Sequence, residues 1–328
     1  MQSIFYERAT DVRQAIDLAQ QPGAKFIGGG TNLLDLYKSG IEKPIHLVDI
    51  NRLPLADITE LPDGGLRIGA MATNTAVATH PLVRERYRML SEAILNGATT
   101  QLRNMATTGG NLLQRTRCYY FTDPTFARCN KRNPGSGCDA IDGFNRIHAI
   151  LGASDQCIAT HPSDMAVALA ALDAIVHLQG PNGERQVPVQ EFHRLPEDHP
   201  EIDTVIQPGE LITAVELPAP VFAQHSHYLK VRDRASYAFA LVSVAAALDL
   251  DGDTVRDVRI VLGGVAHKPW RAQEAENILR GQPLSDDALA RAGAAAVAGA
   301  KDYGHNGFKI ELAQRAVIRA LQTAGGLA

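Results

Sequence analysis

The chain has 328 residues, 45% of them hydrophobic and 21% charged, with a formal net charge of -4. That balance is ordinary for a globular protein and excludes bulk attraction to nucleic acid or to an anionic membrane. No apolar run spans a bilayer, the longest candidate being 238–248, so no membrane insertion is expected. The N-terminal segment has no basic stretch followed by an apolar one, so no secretory signal is read there.

The length suits two or three domains. Asp11 to Ala19 reads as a helix with an acidic cap, Ala24 to Ile27 as a strand ending in three glycines, and His46 to Ile50 as a second strand. These form a small α/β lobe over residues 1–55. A second lobe covers 56–217. In it Leu66 to Ala70 reads as a strand after the Asp63-Gly64-Gly65 turn, and Val83 to Asn96 as one helix carrying Leu90, Ala93, Ile94 and Leu95. An aperiodic insert follows at about 115–160, with a strong turn signal at Asn133-Pro134-Gly135-Ser136-Gly137. Helix returns at Ser163 to Leu172, then strands at Ala174 to Leu178 and Leu211 to Leu217. The remainder, 218–328, is expected to be an α+β domain. Its strands are Tyr237 to Leu250, as one or two pieces, and Val258 to Val265. Its helices are Trp270 to Leu279, Asp286 to Ala298 and Phe308 to Thr323.

Two loops carry the first chemical signal. Lys25-Phe26-Ile27-Gly28-Gly29-Gly30-Thr31-Asn32-Leu33-Leu34 leaves a strand through three glycines, which lets backbone N–H groups converge. Such a nest suits a diphosphate, although a plain glycine turn fits the loop equally well. Asp49 invites a Rossmann reading, with its carboxylate on a ribose, but the G-x-G-x-x-G pattern fails at Leu33. Ala106-Thr107-Thr108-Gly109-Gly110-Asn111 is a second glycine turn. A pair of such loops in adjacent lobes can clamp an extended dinucleotide.

All four cysteines lie in the insert, spaced Cys118-x10-Cys129-x8-Cys138-x18-Cys157. A zinc site would normally include a close cysteine pair, and none is present. Two disulfides fit an oxidising compartment, and a [4Fe-4S] cluster needs the four thiolates that the chain supplies. Arg115, Arg117, Arg128, Lys131, Arg132 and Arg146 surround them, a cationic setting that favours an anionic cluster. Solvation of a loop, or contact with an acidic partner, is the plainer account of these charges. His161 and Trp270 read as structural. His148 is a spare ligand beside four cysteines, and His225 with His227 lacks a third ligand for a metal.

The motifs GGGTNLL, LRNMATTGGNLLQ and HPSDMAVALAALDA, in that order and spacing, resemble the flavoprotein subunit of the xanthine dehydrogenase, or molybdenum hydroxylase, family over essentially the whole chain. The resemblance implies an α+β fold. It comprises a two-lobed FAD-binding domain of the vanillyl-alcohol-oxidase-like (PCMH) type and a C-terminal domain like that of the CO dehydrogenase flavoprotein. It further implies that Phe26, Ile27, Gly28, Gly29, Gly30, Thr31, Asn32, Leu33 and Leu34 bind the FAD pyrophosphate. Thr107, Thr108, Gly110 and Asn111 would lie beside the flavin, with Ser163, Asp164, Ile212 and Lys230 completing the site. The cysteine pattern looks like the periplasmic aldehyde oxidoreductase branch, which implies that Cys118, Cys129, Cys138 and Cys157 hold a [4Fe-4S] cluster. The partners implied are a large molybdenum-cofactor subunit and a small [2Fe-2S] subunit in an αβγ heterotrimer, which passes electrons to an external acceptor. Location follows from co-export into the periplasm with a signal-bearing partner, with the cytoplasm as the other compartment. The competing readings are a stand-alone NAD-linked reductase and a disulfide-bonded binding module.

Overall fold

The computed structural model describes residues 3–327. The first lobe comprises β1 (Phe5–Arg8), α1 (Val12–Ala19), β2 (Ala24–Ile27), α2 (Leu33–Lys38) and β3 (His46–Asp49). Asp11 starts α1 by accepting a hydrogen bond from the Gln14 backbone N–H at 2.8 Å, which satisfies one orphan donor of the first turn. The three strands are parallel, in the order β1-β3-β2, and the central strand β3 is buried throughout. This register ends β2 at Ile27, opposite Asp49, and sends the chain out through Gly28 to Gly30.

The second lobe holds β4 (Ile58–Glu60), β5 (Leu66–Gly69), α3 (Asn74–Thr79), α4 (Pro81–Arg86), α5 (Arg88–Asn96), α6 (Thr100–Met105), α7 (Thr108–Leu112) and α8 (Tyr119–Thr122). It continues through α9 (Asp164–Ala171), β6 (Ile175–Gly180), β7 (Gly183–Pro188), α10 (Val189–Phe192) and β8 (Leu211–Leu217). Its antiparallel sheet runs β4-β5-β8-β6-β7. Every residue of α9 is buried, which is why its sequence is apolar all round. It packs against α5 and α7 of its own lobe and against the sheet that follows.

That last sheet is antiparallel, in the order β12-β11-β10-β9. It is built from β9 (Ser226–Val231), β10 (Val242–Asp251), β11 (Thr254–Gly263) and β12 (Trp270–Arg271), and α11 (Gln273–Leu279), α12 (Asp286–Ala296) and α13 (Phe308–Ala324) follow. Alternation along β10 divides its side chains between two cores. Ala245 and Ala247 join the cluster around α9, while Val244, Ala246 and Leu248 join the one beneath α11 to α13. Gly263 allows the close approach, since a Cβ there would lie 2.6 Å from Val167 of α9. The packing brings β9 beside the start of α9. Among the described residues no helix is long and apolar enough to cross a membrane.

Three expected elements differ. Val83 to Asn96 is two helices, broken at Tyr87, which takes φ -130° and ψ 45°. The buried Tyr87 hydroxyl donates to the Pro218 carbonyl at 2.6 Å, so a long-range contact overrides the helical spacing. The strand expected from Tyr237 begins only at Val242. Tyr237 sits at φ +51°, and Arg234 closes the preceding turn on its carbonyl. Trp270 and Arg271 form β12 rather than opening a helix, because they pair with Leu262 and Val261 of β11.

Candidate functional site

A cleft of about 1180 Å³ opens between the glycine loops and is bordered by the start of α9, β9 and the insert. Its floor is the turn after β2. Gly30 takes φ +70°, and the N–H groups of Gly29, Gly30, Thr31 and Asn32 donate to no acceptor among the described residues. An unpaired run of this kind is an anion cradle. The second glycine turn lies directly against it. A Cβ on Gly29 would fall 1.8 Å from the Met105 carbonyl oxygen, and one on Gly28 would fall 3.1 Å from Thr107 Oγ1. Thr107 in turn caps α7, its hydroxyl accepting from Gly110 N at 3.2 Å.

Across the cleft, Ser163 caps α9 by accepting from Ala166 N at 2.9 Å, and its own hydroxyl donates to Asn111 Oδ1 at 2.5 Å. The adjoining Asp164 carboxylate is held on both oxygens. Tyr228 OH donates to Oδ1 at 2.7 Å and Lys230 Nζ to Oδ2 at 2.7 Å. Tyr228 and Lys230 are two apart on β9 and so share a face. Lys230 also donates to the Asn96 carbonyl at 3.0 Å, and its side chain is 1% exposed. Asp164→Asn would leave this ammonium buried without its carboxylate, and breaking a buried pair in that way costs about 3–5 kcal/mol. The expected result is an unfolding free energy from urea titration lowered by that amount, with a lower midpoint. An unchanged midpoint would mean that the ion pair contributes no net stability.

Most residues expected to contact a cofactor border the cleft: Phe26 to Leu33, Thr107, Gly110, Asn111, Ser163, Asp164 and Lys230. Three lie behind its wall. Leu34 packs under Gly30, and Thr108 is buried with its hydroxyl on the Ala72 carbonyl at 3.0 Å. Ile212 is buried on β8 against Gly109. Asp49 is spoken for. It accepts from Tyr6 OH, from Arg8 Nε at 2.8 Å, and from Asn51 N and Nδ2 at 2.8 and 2.7 Å. Burial opposes its ionisation, but these donors outweigh burial and hold its pKa below the usual carboxylate range. No oxygen is left for a ribose, which removes the basis of the Rossmann reading.

Residues 2–220 match the family model described as the FAD binding domain in molybdopterin dehydrogenase. Residues 227–324 match the CO dehydrogenase flavoprotein C-terminal domain. The chain belongs to the FAD-binding subunits of the molybdenum hydroxylases. It is 52% identical to the aldehyde oxidoreductase FAD-binding subunit PaoB of Escherichia coli strain K12, over 99% of each chain. It is 29% identical to the carbon monoxide dehydrogenase medium chain of Hydrogenophaga pseudoflava, over 97% of this chain and 96% of that one. Among solved structures, reconstituted CO dehydrogenase from Oligotropha carboxidovorans superposes with a TM-score of 0.78 at 25% identity, covering 100% of this chain and 99% of that one. As an FAD subunit the chain is part of an oxidoreductase, and its unpaired loop N–H groups and Cβ-free turn fit a dinucleotide diphosphate.

This FAD subunit buries Cys118, Cys129 and Cys157 in one cluster with Tyr120, Phe121, Ala140, Ile158 and Ala159, the half-buried Cys138 packs against it, and all four are free thiols. Burial pushes the Cys118 thiol up to about 12. Cys138 and Cys157 are hydrogen-bonded to each other, which lowers Cys138 and raises Cys157. The peptide N–H groups of Tyr120 and Phe121 near Cys118, of Ala140, Ile141 and Ile158 near Cys138, and of Ala159 near Cys157 favour the ionised thiols. His148 Nε2 lies 3.1 Å from Cys118 Sγ. Among the described residues no three His, Cys, Asp or Glu side chains converge as a single metal ion requires. A four-iron cubane holds its thiolates farther apart than one ion does, and amide donors to sulfur are part of its usual setting.

The basic residues of the insert have other work than the one expected of them. Arg132 Nη1 binds the carbonyls of Tyr120, Phe121 and Asp123 at 2.6–3.1 Å, and Arg128 pairs with Asp139 at 2.7 Å. They fold the loop, since an aperiodic segment must satisfy its carbonyls somehow. Lys131 favours ionised Cys157, and Arg128 is coupled by charge to Cys138. Sequence reasoning missed Glu42 and Asp203. Asp203 accepts from Lys131 Nζ at 2.5 Å and Arg115 Nε at 2.8 Å, Arg115 reaches Glu42 at 2.7 Å, and Arg115 N donates to Asn32 Oδ1 at 2.9 Å. The chain of contacts ties the cysteine insert to the glycine loop. Nothing near Asp203 in sequence signals it.

Proposed function

We propose that the chain is the FAD- and [4Fe-4S]-bearing electron-transfer subunit of a molybdenum-containing aldehyde oxidoreductase. It would assemble with a large molybdenum-cofactor subunit and a small [2Fe-2S] subunit in an αβγ heterotrimer. The observation that carries the reading is the 52% identity, end to end, with an aldehyde oxidoreductase FAD-binding subunit. Bound FAD supplies a centre that takes electrons in pairs and releases them singly or in pairs. The chain's own residues hold and bias it. The N–H groups of Gly29 to Asn32 would bind the diphosphate, and Asp164 would accept from a ring N–H or a ribose hydroxyl. Lys230 would bring its charge toward the ring, where negative charge gathers on reduction.

Cys118, Cys129, Cys138 and Cys157 would hold the cluster, supported by their gathering around one apolar cluster within the insert. The contacts from Lys131 through Asp203 and Arg115 to Asn32 favour a stapling part for it. Iron and sulfide analysis of the purified complex tests the assignment. The expected result is one four-iron cluster in addition to those of the small subunit. Cys138→Ser should lose that iron together with FAD and assembly. Retained FAD with an altered acceptor preference would make the cluster an electron exit instead, and no extra iron in a flavin-replete complex would sink the cluster. Export to the periplasm with a signal-bearing partner belongs to the same proposal, following the branch that the cysteine pattern resembles. Cell fractionation tests it.

A further inference from the structure

Of the eleven histidines, His161 alone among the described residues borders the cleft. It is half-buried, two residues ahead of Ser163, and its backbone N–H donates to the Ala266 carbonyl at 2.9 Å. That bond draws the approach to α9 against the turn after β11, which carries His267. Beside His161 stands His193, with ring centroids 4.2 Å apart. His193 donates from Nε2 to the Leu112 carbonyl at 2.9 Å, which fixes its tautomer and leaves Nδ1 as a bare acceptor. His161 Nε2, His193 Nδ1 and both nitrogens of His267 are buried without a partner. Among the described residues no three such side chains converge as a single metal ion requires.

Four orphan nitrogens on three neighbouring rings require a physical account, because buried polar atoms are otherwise satisfied. Ordered water bonded to several of them at once is the usual answer. Burial holds each ring below the ordinary histidine value, His193 at about 4, so the rings stand neutral near pH 7. Asp203 favours their protonation, while Arg117, Lys131, Lys268 and His148 oppose it. A neutral imidazole takes a proton at one nitrogen as it gives one up at the other. Iron–sulfur centres deliver electrons without protons, whereas full reduction of a flavin takes two electrons and at least one proton. We propose that His161 is the proton-transfer residue of the flavin site, with His193 and His267 positioning the water that resupplies it. The inference rests on the reading that FAD binds in this cleft and is reduced through the partner clusters. For each electron pair that arrives, one proton leaves His161 Nδ1 toward the cleft. Another, drawn from solvent through the water beside His193 and His267, enters at Nε2. The ring stays neutral and changes tautomer. When the electron pair leaves, the proton returns by the same route and restores the first tautomer.

The test uses the assembled, flavin-replete complex, reduced, freed of reductant and mixed once with ferricyanide, an oxidant that takes electrons and no proton. Flavin absorbance and a pH-indicator dye in weak buffer follow the two products of the step together. His161→Gln should slow both the return of the flavin and the release of its proton by about a hundredfold, the scale of one positioned acid–base group. His161→Ala should be slowed alike, and free imidazole should restore its rate. His193→Gln keeps the donor to Leu112 and should enlarge the solvent deuterium isotope effect on the same step. Unchanged rates in a flavin-replete His161→Gln complex overturn the proposal. Slowing that imidazole does not restore overturns it as well and leaves His161 a structural part. Loss of FAD from both His161 variants overturns it and assigns the ring to holding the cofactor. Failure of the underlying reading looks different, since the unsubstituted complex would then carry no FAD, or aldehyde would not bleach it.

Discussion

Gly29→Ala is expected to strip FAD from the chain, leaving less than about a tenth of the flavin per protein, because the new atom cannot be accommodated by side-chain movement. The added Cβ would stand 1.8 Å from the Met105 carbonyl oxygen and 2.5 Å from its carbon, both backbone atoms. Relief requires the first glycine loop to move away from the segment between α6 and α7. That movement separates the N–H groups of Gly29 to Asn32 from Thr107 and Gly110 on the facing loop. Gly28→Ala is the graded control. Its Cβ meets the Thr107 hydroxyl at 3.1 Å, and a side chain can yield by a few tenths of an ångström, so a partial loss of flavin is expected there. The flavin-to-protein absorbance ratio of the purified complex reads both variants, with circular dichroism confirming that each is folded. A folded Gly29→Ala protein with its full complement of flavin would dissociate the loop from the cofactor.

The parts of this site legible in the sequence are those that local chemistry dictates. Three glycines after a four-residue strand, a Thr or Ser ahead of a helix, and four cysteines in one insert each carry their meaning within a few positions. The caps by Asp11, Thr107 and Ser163 follow from side-chain oxygens that accept from the first helical turn. What escaped notice was set by distant partners. Asp203 is 72 residues from Lys131 and 88 from Arg115 in sequence, and no periodicity encodes such a meeting. Tyr87 breaks a helix for a carbonyl 131 residues away. The insert's arginines were legible as charge but not as direction. Arg132 turns to four carbonyls of its own loop rather than to the thiols, because an aperiodic chain leaves those oxygens in need of donors.

Stability is expected to fall steeply between pH 7 and pH 5, carried by buried imidazoles, His148, held at about 4 chiefly by burial, among them. His161, His193 and His267 sit close together and each is held below the ordinary histidine value, chiefly by burial, His193 to about 4. The geometry explains the direction. His193 Nε2–H donates to the Leu112 carbonyl at 2.9 Å, which leaves its Nδ1 buried without an acceptor for a second proton. His161 Nε2 and both nitrogens of His267 are likewise buried and unpaired. A group whose folded pKa is depressed takes up its proton more readily in the unfolded chain. Its contribution is therefore intact above the unfolded value of 6.5 and is lost as pH falls toward the folded value. At pH 5 a histidine held at about 4, such as His193, costs about 2 kcal/mol, against a total stability of about 5–15 kcal/mol for a typical fold. Asp203, held at about 2 by Lys131 and Arg115 against the cost of burial, stays ionised across this window and adds no slope. Lys309, lowered to about 7 by burial, titrates at the upper edge of the window and adds a small contribution of the same sign. Urea unfolding at pH 7 and pH 5 reads the difference. His193→Gln keeps a donor for Leu112 and removes the titration, so it should flatten the slope. A stability that does not change over those two pH units would mean that the three rings accept protons within the fold, with water or backbone supplying the acceptors.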